Sequence, residues 1–199
     1  MTDETLEQVK RNYEKFRNLC ALLGDRSEAV LKMVDELGDR LAMCPASSKT
    51  SYHNAMCGGL VEHSLRVLSY AKKLNETLKL DVNKESLIIS CLMHDLGKVG
   101  DLDQERYLPQ DNSYYYQRGN VYRINEDLTL RTTDTTLFLL QHYGVALTED
   151  EFMAIKLADG RYDRANESYG LDIPDIAMLV HHADVWATKQ EKKLARTAL

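Results

Sequence analysis

The chain has 199 residues, enough for one sizeable hydrophobic core, and we expect a single domain over residues 1–199. With 28% charged residues, a net charge of -6 and no basic stripe, the composition argues against binding of extended duplex nucleic acid. The polar N-terminal sequence lacks a signal-like apolar core and no apolar run reaches transmembrane length, so we expect a cytoplasmic protein without membrane contact. Only three prolines and ten glycines occur, which favours long helices over a turn-rich β-sandwich.

Two amphipathic helices are predicted before residue 45. The first carries apolar residues at helical spacing over 6–23 and stops at Gly24. The second carries its apolar stripe over 30–41, and Ser27 is a candidate cap. A loop rich in Ser and Thr follows and leads into the next helix.

The next two predicted helices bear histidines. A 3.6-residue period over 60–78 places His63 near the start of a helix, one step from its buried stripe. Asn83 or Lys84 opens the following helix, which ends near two glycines. Its last turn is expected to contain His94, Asp95 and Lys98.

Residues 101–127 have a different pattern, in which aromatic and polar residues alternate. The runs YYYQ and VYRI flank Arg118, Gly119 and Asn120, which predicts a short β-hairpin inserted in a helical fold. Its tyrosines, together with Arg118 and Arg123, either cover a pocket as a lid or serve packing alone.

Three helices are predicted after the hairpin. Asp134 is a candidate cap for a helix that ends near His142, and Thr148 with Glu151 has the spacing of a capping box. The last helix has its apolar stripe over 176–187. His181 and Asp184 share a neighbouring face of that helix because they are three residues apart.

The segments GGLVEHSLRV, LMHDLGK and HHADVWA contain imidazole and carboxylate groups that suit a divalent transition metal. The order His63, His94-Asp95, Asp184, with helical context at each, resembles the HD-domain superfamily of metal-dependent phosphohydrolases over about residues 58–190. The resemblance implies an all-α helical bundle. The predicted hairpin is then a small insertion, and the helices of residues 1–45, which lie outside the matched segments, are expected to pack on the bundle.

The resemblance also implies a reaction. His63, His94, Asp95 and Asp184 are expected to bind Mn, Fe, Co, Ni or Zn, with Mg as a further option, and Asp95 and Lys98 to act in catalysis. The expected activity is hydrolysis of a nucleotide or related phosphate ester through attack by a metal hydroxide. A small phosphorylated substrate is thus the expected partner, and the chain is compatible with an oligomer.

Several alternatives stay open at the level of sequence. One ion or two can be accommodated, with His142 and His181 as candidates for a second site and Asp159 as a weaker one. Lys98 either orients a phosphate or is a solvated lysine at a helix end, and Arg66, one turn after His63, has the same two interpretations. The functional alternatives are a di-iron oxygenase of the same fold and a regulatory module that binds a nucleotide without turnover.

Overall fold

The computed structural model describes residues 2–160, 163–170 and 172–197. Within these residues the chain forms a helical bundle with one small antiparallel sheet, as predicted from the sequence. The helices are α1 (Asp3–Cys20), α2 (Ser27–Met43), α3 (Gly59–Leu78), α4 (Lys84–Met93), α5 (Ser113–Gln117), α6 (Thr132–His142), α7 (Glu149–Lys156) and α8 (Asp175–Thr197). The strands are β1 (Tyr107–Pro109) and β2 (Tyr122–Ile124). None of the described helices combines the length and apolarity needed to cross a membrane.

Helix α3 lies at the centre of the bundle. It packs most extensively on α8 and next on α4, and it also contacts α1 and α2. Its inward face contributes Val67, Leu68 and Ala71 to one core cluster, which α1 and α2 join through residues such as Phe16 and Leu37. Burial of these side chains stabilises the fold by about 25 cal/mol per Å² of apolar surface removed from water.

The helix starts match the sequence predictions in part. The side chain of Asn83 accepts a hydrogen bond from the Ser86 amide and caps α4, and Thr148 with Glu151 forms the predicted capping box of α7. Asp134 is not the cap that the sequence suggested. Helix α6 begins earlier with Arg131 at the N-cap, so that Asp134 lies in the first turn, where a negative charge favours the helix dipole.

The hairpin prediction is confirmed for one strand and wrong for the other. VYRI contains β2, but its antiparallel partner is β1, in which Tyr107 pairs with Ile124. The run YYYQ forms the short helix α5 instead. The Asn112 Oδ1 atom accepts hydrogen bonds from the amides of Tyr114 and Tyr115 at 3.0 and 3.4 Å, which starts a helical turn in that run.

Helix α4 ends just before the histidine–aspartate doublet. His94 is its C-cap residue, and the chain continues as a separate 3₁₀ turn over Leu96–Val99 rather than as the predicted last turn of the same helix. Gly97 accounts for this change, because a Cβ atom there would lie 1.9 Å from the carbonyl oxygen of Thr132. Its amide donates to Thr136 Oγ1 at 2.8 Å. Close contact with α6 thus turns Asp95 and Lys98 out of the α4 helical path.

A second glycine fixes the loop before α3. A Cβ atom on Gly59 would lie 2.1 Å from the carbonyl oxygen of Asn54, so only glycine lets the loop of residues 46–57 cross the first turn of α3 this closely. The loop is also joined to the hairpin, since the amide of Tyr122 donates to the Ser48 carbonyl oxygen at 3.1 Å. The loop and the hairpin therefore form one connected wall beside the first turn of α3.

Glu151 connects three parts of the chain. Its buried carboxylate accepts hydrogen bonds from Arg26 at 2.7 Å, the Ser86 hydroxyl at 2.8 Å and the Thr148 amide at 2.9 Å. Burial alone would raise the pKa of the Glu151 carboxyl, but Arg26 and the hydrogen bonds lower it below its usual value. The side chain that begins α7 thus also attaches this helix to α4 and to the start of α2.

Replacement of Glu151 by alanine should lower the free energy of unfolding by about 3 kcal/mol, because it leaves buried donors without their acceptor. Urea denaturation at pH 7 measures this change. The matched control Glu149→Ala removes an exposed carboxylate from the same helix turn and should stay within about 0.5 kcal/mol of wild type. Because the folded pKa of Glu151 is lowered, its stabilisation is present above the unfolded pKa and is lost as pH falls through the folded value. An equal loss in both variants at pH 7 would contradict the assigned role.

Candidate metal centre

The side chain of His63 lies between two carboxylates from α8. It is completely buried, with Nε2 3.0 Å from Asp184 Oδ1 and Nδ1 3.0 Å from Glu191 Oε2. Asp184 and Glu191 are seven residues apart, which is two helical turns, and therefore project from one face of α8. The close packing of α3 on α8 thus fixes both ring nitrogens of His63.

The histidine–aspartate doublet reaches the same point from α4. The His94 Nδ1 atom lies 2.8 Å from the carbonyl oxygen of Cys91, so Nδ1 carries the hydrogen and Nε2 of the neutral ring keeps its lone pair. Asp95 Oδ2 lies 3.4 Å from His94 Nε2 and 3.7 Å from His63 Nε2. His63 thus contacts both Asp95 and Asp184, and His94 joins the cluster through Asp95.

The geometry fits a divalent metal. The Nε2 atoms of His63 and His94 are both buried without a hydrogen bond of acceptable geometry, which is costly unless another ligand satisfies them. Donor atoms of His63, His94 and Asp95 lie within 4.8 Å of one another. Ligands about 2.1 Å from one ion and 90–110° apart are separated by about 3.0–3.4 Å, close to the spacings here. Two neutral imidazoles and two carboxylates also neutralise a dication.

Charges around Asp95 favour the ionised carboxylate that a metal requires. Burial would raise the pKa of the Asp95 carboxyl, but Lys98, His94 and His63 lower it well below its usual range. Lys98 Nζ lies 2.5 Å from Asp95 Oδ2. For His63, burial disfavours the charged ring, yet Asp184 and Glu191 outweigh it and raise the pKa to about 9. His63 would have to lose this proton to hold a metal ion through the same nitrogen.

Comparison with known proteins agrees with this arrangement. The family model described as HD domain matches residues 60–188, and the chain belongs to the HD domain family. The matched region includes all four of the converging side chains. Neither a search of curated proteins nor a search of solved structures found a match.

The two histidines predicted for a second metal are not brought together. His142 is exposed at the end of α6, with its ring against Phe138 and Tyr143. His181 points its Nδ1 to the carbonyl oxygen of Ala158 at 2.8 Å. Among the described residues neither belongs to a group of three or more converging metal-ligand atoms, and the second metal site stays a prediction from the sequence. His181 and Asp184 are three residues apart on α8, but the His181 ring is directed to Ala158 and the Asp184 carboxylate to His63.

Asp159, the weaker candidate, lies nearer to the cluster. Its side chain is accessible to solvent, and desolvation together with the charges of Asp95 and Asp184 raises its pKa. It does not join a group of converging ligand atoms within the described residues. The structure therefore places Asp159 beside the centre and not among its ligands.

The predicted phosphate-binding arginines are engaged elsewhere. Arg66 lies behind His63, where it contacts Glu191 at 3.0 Å and Glu62 at 2.6 Å. The guanidinium of Arg118 stacks over the Tyr114 ring at 3.6 Å on the exposed helix α5. Arg123 is exposed on β2 and lies 4.0 Å from Asp111. No hydrogen bond or ion pair connects the described side chains of Arg118 and Arg123 to the metal-binding cluster.

Lys98, by contrast, lies at the cluster and beside a cavity. Through Lys98 the cluster adjoins a space of about 160 Å³ whose walls include Cys44, Cys57, Tyr107 and Tyr122. The two tyrosines come from β1 and β2, so the inserted hairpin supplies one wall of this cavity. The Lys98 side chain is only 14% exposed. It is therefore not the solvated helix-end lysine that the sequence left open as the alternative.

Two side chains at the centre escaped the sequence analysis. Glu191 lies two helical turns beyond Asp184. This spacing, on the helix face that carries the predicted ligand Asp184, was the signal in the sequence that could have identified Glu191. His53 lies in the loop before α3 with its ring centroid 4.6 Å from that of His63. No periodic pattern marks a loop histidine, so its position depended on the folded chain.

We expect one tightly bound ion per chain, because the two groups of converging ligand atoms among the described residues share His63, and only one of them contains the histidine–aspartate doublet. Atomic emission on protein purified without chelator and reconstituted with Mn²⁺ measures the count. His63→Ala should retain less than about a tenth of an equivalent, since it removes a ligand that two helices position. His142→Ala serves as the control and should retain the full amount. Two tightly bound equivalents in wild type, reduced to one by His142→Ala, would restore the binuclear site.

Glu191 should strengthen the metal site without binding the ion. It holds His63 by Nδ1, which directs Nε2 to the ion and increases its basicity, and loss of such a partner typically weakens metal affinity about 10- to 100-fold. We therefore expect Glu191→Gln to bind Mn²⁺ more weakly by this factor in calorimetric titration. Glu28→Gln, a change of the same type on the exposed surface of α2, is the matched control. Unaltered Mn²⁺ affinity in Glu191→Gln would show that Glu191 serves packing alone.

Proposed function

We propose that this protein is a metal-dependent phosphohydrolase that cleaves a nucleotide or a related phosphate ester. The observation that carries the proposal is the convergence of two unpartnered imidazole nitrogens and two carboxylates beside a buried lysine, in a chain of the HD domain family. His63, His94, Asp95 and Asp184 hold the ion in this proposal. The cluster has the charge and the donor atoms of a catalytic site, in which coordination positions stay open.

A bound divalent ion supplies Lewis acidity and lowers the pKa of a water to about 7, which makes an attacking hydroxide available at neutral pH. The new bond forms between the water oxygen and phosphorus, and the phosphorus–oxygen bond to the organic group breaks. One water proton ends on the leaving alcohol oxygen, so the products are an alcohol and a phosphate. No nucleophilic side chain is required, and the buried cysteines near the centre are poor candidates because burial raises the pKa of Cys44 and Cys91.

Lys98 has a charge-stabilising role in this proposal. Its ammonium contacts Asp95, which holds it beside the ion, and burial is outweighed by the carboxylates of Asp95 and Asp184, so that its pKa is raised and the group stays charged at neutral pH. A fixed cation at this place stabilises the negative charge that develops on the phosphoryl oxygens. Because Asp95 already holds the lysine in position, little reorganisation is needed when the substrate binds.

The cavity beside Lys98 supports an organic group of moderate size. Its walls include Pro45 and Pro109 as well as Tyr107 and Tyr122, and the two tyrosine ring centroids are 6.4 Å apart. Aromatic walls favour flat rings through stacking, and nucleobases bind proteins in this way. A phosphate at the metal centre and a ring in this cavity match the two halves of a nucleotide.

Hydrolysis of phosphate esters by the metal-loaded protein tests the proposal. We expect release of phosphate or of an alcohol from at least one compound among nucleoside monophosphates, nucleoside triphosphates, cyclic nucleotides and bis(p-nitrophenyl) phosphate, with Mn, Fe, Co, Ni or Mg. Asp95→Ala should abolish this activity because it removes a ligand and the partner of Lys98. No turnover of any ester with any of these metals, by protein that binds the ion, would refute the hydrolase assignment.

Lys98→Met should lower kcat by about 100- to 1000-fold, the usual cost of removing one donor to a developing oxyanion. Metal content is measured on the same samples, since a normal content shows that the loss comes from the missing charge. The control Lys84→Met removes an exposed lysine at the start of α4 and should leave kcat unchanged. A Lys98→Met variant with full metal content and wild-type kcat would contradict the charge-stabilising role.

A further inference from the structure

The loop of residues 46–57 holds His53 in a defined position. The hydroxyl of Ser47 donates to the His53 carbonyl oxygen at 2.6 Å, and the amide of Ala46 donates to the Asn54 carbonyl oxygen at 3.0 Å. The close crossing at Gly59 adds a steric constraint on the residue after His53. The imidazole thus comes from an anchored segment, a requirement for a side chain that must meet a ligand with fixed geometry.

The imidazole of His53 is unsatisfied. Its Nε2 atom is buried and makes no hydrogen bond, although the ring lies against His63 with centroids 4.6 Å apart. A buried donor or acceptor without a partner costs about 1–3 kcal/mol, which a bound ligand can remove.

His53 is poorly suited to be a metal ligand. It is not part of the group formed by His63, His94 and Asp95, although one of its ring nitrogens lies within 4.8 Å of donor atoms of His63 and Glu191. An ion in that second group would have to share the carboxylate of Glu191 with Arg66, which already contacts it at 3.0 Å. The Glu191 carboxylate is thus already engaged by Arg66 and by His63. His53 packs against the imidazole of His63 and lies outside the group formed by His63, His94 and Asp95.

The centre has many acceptors and few donors. Asp95, Asp184 and Asp159 supply carboxylate oxygens around it, whereas a phosphate group with several negative oxygens needs donors. The arginines that the sequence suggested for this purpose are engaged elsewhere, which leaves Lys98 as the cation that the described structure places there. One further donor beside Lys98 would match the needs of a phosphoryl group.

We infer that His53 is a substrate-binding residue, which donates a hydrogen bond from its imidazole Nε2 to a non-bridging oxygen of the phosphoryl group. This inference rests on the proposed phosphohydrolase function and names a residue for the same site. The buried Nε2 atom, which has no partner in the protein, would gain one in the phosphate. His53 lies on the wall formed by the loop and the hairpin, so the phosphate is held between this wall and the metal-binding helices.

Binding of inorganic phosphate to the Mn²⁺-loaded protein tests the inference. Calorimetric titration should give a Kd for phosphate that is about 10- to 100-fold higher in His53→Ala than in wild type, the effect of one hydrogen bond to a charged group. His53→Asn, which keeps an N–H donor, should recover part of the affinity. Mn²⁺ affinity and stoichiometry should be unchanged in both variants. His142→Ala, the loss of an exposed histidine, should bind phosphate as wild type does.

A measurement on the wild-type protein covers the case in which the variants fold poorly. With Zn²⁺ or Mg²⁺ as a diamagnetic ion, phosphate should shift the ¹⁵N resonance of His53 Nε2, and it should leave that of His142 in place. Unchanged phosphate affinity in folded His53→Ala, or no response of the His53 resonance, overturns the inference. So does a fall from two Mn²⁺ ions to one in His53→Ala, which would make His53 a metal ligand.

The outcome also separates this inference from the proposed function. If wild type hydrolyses esters and His53→Ala matches its kcat, KM and phosphate affinity, only the role of His53 fails. If wild type binds Mn²⁺ and phosphate but hydrolyses no ester, the hydrolase assignment fails, and the phosphate titrations still decide whether His53 is a donor. A lower kcat with unchanged phosphate affinity would indicate contact with the attacking water and would also overturn the inference.

Discussion

The arrangement of the whole centre depends on one buried imidazole between two carboxylates. Asp184 and Glu191 project from a single face of α8 and contact the two nitrogens of His63, so the metal-facing atom and the opposite ring atom are both fixed by one helix. Arg66, which lies on the same helix as His63, neutralises the carboxylate of Glu191. A charge of this kind is tolerated in the core because it is paired on every side. The packing of α3 on α8 is thus also the alignment of the site.

Much of the fold follows from local sequence signals, whereas the two elements that the sequence predicted wrongly have one local and one tertiary cause. The helix period and the capping box at Thr148 are properties of neighbouring residues, and both were predictable. YYYQ was read as a strand because aromatic residues favour strands, whereas the preceding Asn112 caps a helical turn. The sequence predicts a continuous helix through His94 and Asp95. The helix ends at this point because Gly97 packs closely on Thr132, a contact with a distant segment that the local sequence does not reveal. Tertiary contacts decided where local preferences were weak.

The centre itself shows the same division. The four side chains around the proposed ion stand in recognisable segments, and the fold brings them together. The helix face of His181 does not predict where its ring points. The ring is oriented by a hydrogen bond between Nδ1 and the carbonyl oxygen of Ala158, which lies outside α8. Glu191 and His53 were missed for the opposite reason. Their importance comes from contacts with His63, which neither helical period nor spacing along the chain reveals.

His94 and His63 differ in the stage of folding at which their rings become oriented. His94 is oriented by the carbonyl oxygen of Cys91, one turn earlier in its own helix, so its geometry exists as soon as α4 forms. His63 is oriented by Glu191, which lies 128 residues further along the chain. A growing chain therefore carries His63, His94 and Asp95 before α8 is synthesised, but the contact that orients His63 forms only when α8 docks. A metal ion bound at this centre would reach its full affinity only after that docking step.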